Sequence, residues 1–175
     1  MKKFIALAAG LALVATTAQA QTVSTTANPG SVTSYATVTV PTLLKLTIDD
    51  TSSTIPAPTA TDFDNGFSDA GTLVNATVKS NKAWTLSIKG GAATWTGTGG
   101  ASATKAVGDL HWSTSGPGAG TALTTSNATL ASGASGTTGG ASGQSFAIDY
   151  RILWSYSSDT PGTYTIPVIF TAAAP

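Results

Sequence analysis

Cysteine is absent from the 175 residues, and so is glutamate. Without thiols the chain makes no disulfide, no thiolate metal site and no cysteine nucleophile. Its only histidine is His111. A single imidazole with no cysteine cannot build the usual zinc site. Charge is scarce, at 9% of residues, with eight basic and eight acidic side chains that cancel. There is no cluster of Lys and Arg of the kind that phosphate backbones require, which excludes a nucleic-acid partner. Low Glu, Lys and Leu also argue against helix, and the abundance of Thr, Ser, Ala and Gly favours strands and turns.

Met1-Lys2-Lys3 opens the chain, followed by an apolar run from Phe4 to Ala15 and an Ala18-Gln19-Ala20 small-residue site. That order reads as a secretory signal peptide over residues 1–20, with cleavage before Gln21. The apolar run is short for a bilayer span and no second one follows, so no transmembrane segment is expected in the mature chain. Residues 21–175 are expected to form one exported domain, at the cell surface or outside the cell, with the periplasm as the alternative compartment. Removing Lys2 and Lys3 leaves two more acids than bases.

The densest pattern lies between Gln144 and Phe170. Phe146, Ile148, Tyr150, Ile152, Trp154 and Tyr156 fall on alternate positions, and Tyr164, Ile166, Val168 and Phe170 do so again after Pro161-Gly162. A period of two means strand, and Pro-Gly suits a tight turn, so this reads as a closing hairpin. Further strands are expected over 32–40, where Val32, Ala36, Val38 and Val40 alternate with polar residues, and over 44–48, 73–79 and 84–89. The 73–79 and 84–89 runs flank Asn81-Lys82 and read as a second hairpin. Residues 91–143 are rich in Gly, Ala, Ser and Thr, with apolar islands at 110–112 and 123–130. They are expected as short strands and long loops of the same domain. Six or more strands with no helical period predict an all-β fold, an antiparallel Ig-like β-sandwich.

Candidate contact residues are Trp84, Trp95 and Trp112. Trp84 is in register with Leu86 and Ile88, so packing in a core is its plain explanation. Trp95 sits alone among Gly and Thr, and Trp112 follows His111. A flat aromatic face on a loop can stack on a sugar or anchor a partner. Asp62, Asp64 and Asp69 gather oxygen ligands around Gly66, a weak calcium pattern that lacks the EF-hand spacing. Asp149 and Arg151 read as an ion pair or as members of a cross-strand pair on a solvent face. No Gly-x-Ser-x-Gly elbow accompanies His111, and no acid/base pair is evident. No catalytic residue and no cofactor are expected.

Lys82-Ala83-Trp84-Thr85-Leu86-Ser87-Ile88 places Trp-x-Leu on a strand, and Gly162-Thr163-Tyr164-Thr165 leads to the closing strand. In these two places the chain resembles the WxL-type bacterial surface domain, though Phe170-Thr171-Ala172 stands where a second Trp-x-Leu would be. The resemblance implies an exported β-sandwich held non-covalently at the cell wall. The expected function is a non-catalytic surface protein, structural or adhesive, whose partner is a cell-wall or other polysaccharide. The alternative is a fibre or pilin-like subunit that binds like subunits by donating a strand from residues 21–40.

Overall fold

The computed structural model describes residues 33–118, 120–134 and 143–175. The expected signal sequence lies outside the described residues. By its contacts the chain divides into Met1–Thr39 and Val40–Pro175. In the first unit, residues 33–39 join no strand and are exposed. This corrects the strand expected over 32–40, which alternates but has no ladder partner among the described residues.

The second unit is all-β, in antiparallel sheets. Its strands are β1 (Leu44–Ile48), β2 (Phe67–Ser80), β3 (Trp84–Gly90), β4 (Thr96–Thr98), β5 (Leu110–Ser113), β6 (Thr121–Ala122), β7 (Ala128–Gly133), β8 (Gln144–Leu153), β9 (Thr163–Thr165) and β10 (Val168–Ala173). They form a five-stranded sheet in the order β1-β2-β8-β5-β6, a three-stranded sheet β10-β3-β7, and a two-stranded ribbon β4-β9.

Alternation decides which face is buried. Val74, Ala76 and Val78 of β2, Trp84, Leu86 and Ile88 of β3, and Ile148, Tyr150 and Ile152 of β8 all point inward. They join one hydrophobic cluster fed by both larger sheets. Each fully buried aliphatic side chain is worth about 1.5–3 kcal/mol over its exposed state. Trp84 meets Phe146 edge-on, with ring centroids 5.9 Å apart.

Neither expected hairpin forms. β2 pairs with β1 and β8, whereas β3 pairs with β10 and β7. Residues 81–83 therefore carry the chain from one sheet to the other. Asn81 holds this crossing: its side chain accepts from the Leu43 amide at 2.8 Å and donates to the Pro41 carbonyl at 2.7 Å. Likewise β8 lies in the larger sheet and β10 in the smaller, with β9 between them in sequence pairing β4. Pro161-Gly162 turns the chain toward that ribbon. A Cβ on Gly162 would lie 2.4 Å from the Ala101 amide nitrogen, so no larger residue fits.

One short helix, α1 (Ala60–Asn65), was not expected. Thr59 and Asp62 form a reciprocal capping box at its start, and Gly66 closes it at φ +77°. Such a box satisfies two backbone donors that the first turn leaves over.

Candidate functional site

A groove of about 1550 Å³ opens in the second unit. One wall is the loop from Asp50 to Pro58. Tyr164, Ile166, Val168 and Phe170, at and before β10, also line the groove. Val74, Tyr150 and Ile152 of the larger sheet line it too, as do Trp95 and Trp154. Trp154, Tyr164 and Phe170 pack on the core but are only half-buried. The closing strands thus carry an aromatic inner face that the fold leaves partly open.

Two carboxylates line this groove, and both are engaged. Asp50 accepts from the Ser52 amide at 2.8 Å and the Ser53 hydroxyl at 3.1 Å. Asp159 accepts from Lys105 at 3.0 Å and from the Ser155 amide at 2.8 Å. His111 is not among the lining residues. Burial pushes the Tyr150 phenol far above its ordinary value, so it stays neutral. The surface offered is apolar and aromatic. Typical small-molecule sites are smaller and more enclosed, at roughly 300–1,000 Å³.

Alongside the groove runs the outer edge of β10. Its ladder to β3 occupies one side, from Val168–Gly90 to Ala173–Thr85. Among the described residues no strand pairs on the other side. Among the described residues the groove therefore lies beside a strand edge that has no ladder partner, with β1 packed nearby.

Lys105 was missed from sequence. Its ammonium is buried, donating to the Leu153 carbonyl at 2.6 Å and to Asp159, with Asp109 at 3.8 Å. It also sits 4.4 Å from the centre of the Trp154 ring. A buried charge survives only when paired and hydrogen-bonded like this. The cluster ties the 91–106 region to the turn after β8 and fixes Trp154 at the groove. Lys105 is the one charged residue between Lys89 and Asp109, and that isolation was the available signal.

The three tryptophans are not free platforms. Trp84, Trp95 and Trp112 are 2%, 6% and 8% exposed. Trp95 is drawn in because its amide bonds to the Lys105 carbonyl and its indole N–H to the Ala106 carbonyl, at 2.8 and 2.9 Å. It reaches the groove only as part of the wall. Trp112 is buried on β5, and its indole N–H has no hydrogen-bond partner among the described residues.

The aspartates do not converge either. Asp62 caps α1, Asp64 accepts from the Tyr156 hydroxyl at 3.1 Å, and Asp69 takes a bidentate pair from Arg151 at 2.7 and 2.8 Å. Among the described residues no group of three metal-ligating side chains gathers. Arg151 thus pairs across strands with Asp69, not along its own strand with Asp149. Asp149 is buried and accepts from the Thr72 hydroxyl at 2.7 Å. Hydrogen bonding to Arg151 holds the Asp69 carboxyl below its ordinary value of 3.8.

No protein-family model matches the chain, and no curated protein or solved structure matches it significantly.

Proposed function

We propose that the protein is an exported, non-catalytic structural component of a bacterial surface, built as an Ig-like β-sandwich whose groove accepts an extended polypeptide strand. The observation that carries this reading is the open β10 edge beside the aromatic groove. Strand addition uses both: main-chain bonds supply affinity, and alternate side chains fill pockets. A polysaccharide partner has less support, because the three tryptophans suited to it are buried in packing. Chemistry has less support still, because the groove's carboxylates are committed to structural bonds.

Trp95 and Trp154 line the groove and report on its filling. The test uses the full chain carrying Val38→Asp and Val40→Asp, so that its own alternating segment cannot enter an apolar site. Uncharged peptides of alternating Thr and Val, titrated in, are expected to shift tryptophan emission to the blue and to saturate. An unchanged spectrum across that peptide series refutes the strand-acceptor reading.

A further inference from the structure

We infer that the strand entering the groove is residues 33–40 of a second copy of this chain. The inference rests on reading the groove as a strand acceptor, and names its occupant.

The segment has the composition of a buried strand without the burial. Ala36, Val38 and Val40 share one face of an alternating run, yet Tyr35 is 90%, Val38 85% and Val40 70% exposed. These are among the most exposed large apolar side chains described, and all three lie within six residues. Soluble chains seldom leave such a run uncovered unless something covers it.

Charge and length agree. From Phe4 to Leu44 there is no charged residue. The segment therefore enters an apolar groove with no ion to desolvate, the step that would otherwise be most costly. β10 is six residues long. Residues 35–40 match it, at roughly 20 Å for six residues of strand.

Among the described residues β10 carries none of the usual edge guards in its own sequence, although β1 packs close to it. Exposed edges are normally blunted by lysine, proline or a bulge. β10 reads Val-Ile-Phe-Thr-Ala-Ala, with no charge and no proline, and pairs with β3 without a register shift. The edge strand of the larger sheet, β1, carries Lys45. A strand-competent segment and an edge without a described ladder partner thus occur in one chain, while residues 33–39 join no sheet. Donation from copy to copy is a head-to-tail contact. It leaves one donor and one acceptor free at each step, and so builds chains instead of closed dimers.

With Val38 facing the groove alongside Val168 and Phe170, Thr37 lies on the outer face with Ile169, Thr171 and Ala173. The native chain has no cysteine, so introduced pairs report cleanly. A full-length chain with Thr37→Cys and one tag is mixed with a differently tagged chain carrying Ile169→Cys, Thr171→Cys or Ala173→Cys, then oxidised. A disulfide-linked heterodimer is expected with at least one of the three. In parallel, wild type should sediment as a concentration-dependent series, and the Val38→Asp, Val40→Asp chain as a monomer.

An internal disulfide in a monomeric Thr37→Cys, Thr171→Cys chain means the segment fills its own groove. That overturns the second-copy inference and leaves the strand-acceptor function standing. Wild type remaining a monodisperse monomer at 100 µM also overturns it. Failure of the underlying function shows separately, as absence of any peptide response in the aspartate variant.

Discussion

Residues 35–40 and β3 carry the same code and meet opposite fates. Tyr-Ala-Thr-Val-Thr-Val alternates as cleanly as Trp-Thr-Leu-Ser-Ile-Lys. In β3, Trp84, Leu86 and Ile88 are at most 2% exposed, with β10 and β7 on either side. In the other run, Val38 and Val40 stay in solvent. Alternation makes a segment able to be a strand; it does not supply a partner. β3 is flanked by two strands of its own chain, and the earlier segment by none that the structure describes.

The contrast is open to measurement. The largest effects should come from the folded side. Lys105→Ala removes the buried ammonium and leaves Asp159 buried without its charge partner. A cost of about 3–5 kcal/mol is expected, read as a fall in the denaturation midpoint with unchanged slope. A midpoint shift of only a few tenths would mean the pair is a surface contact in solution. Trp84→Ala should cost about 3–5 kcal/mol through the cavity it opens. Its counterpart on the exposed side, Val38→Ala, should leave the midpoint of the monomeric chain within about 0.5 kcal/mol. If the two alanine variants destabilise a dilute monomer equally, the distinction between covered and uncovered alternation is wrong.

Thr59→Ala should remove one half of the α1 capping box and cost about 1 kcal/mol, seen as faster amide exchange over residues 60–65. The smallest effect belongs to Asp69→Asn. The native carboxyl binds its proton less readily than in the unfolded chain. Its contribution is therefore complete above the ordinary carboxylate pKa and is lost as pH falls through the lower, folded value. The pair is partly exposed, at 18% and 33% for the two side chains, and should be worth about 0.2–1 kcal/mol. Wild type and Asp69→Asn should differ slightly at pH 7 and converge near pH 2. A difference that persists or grows in acid removes the ion pair as its cause.

Strand existence was legible in the sequence because burial on one face imposes a period of two. Leu44–Ile48, Trp84–Gly90 and the run from Phe146 to Leu153 all follow from that. Pairing was not legible. Periodicity says which face of β2 or β3 is inward, but residues 81–83 are as able to cross between sheets as to turn within one. The groove depends on both sheets, so it could not be read from either strand alone. Trp95 looked like a free aromatic because its neighbours in sequence are Gly and Thr. Its actual partners, the carbonyls of Lys105 and Ala106, are ten or more residues away. The helix has a local signal, since Thr59-Ala60-Thr61-Asp62 is a capping-box sequence, but six residues are too few to show a helical period.

The Asn81 amide has a mechanical consequence. With one atom it holds the Leu43 N–H and with another the Pro41 carbonyl, just before Leu44 begins its ladder to Ser80. Tension arriving from the amino-terminal side meets this clasp first. Past it, a pull along β1 strains the rungs between β1 and β2 together, in shear, instead of opening them one by one. A load applied at the amino-terminal end of the second unit therefore falls on the Asn81 clasp before it reaches the β1–β2 ladder.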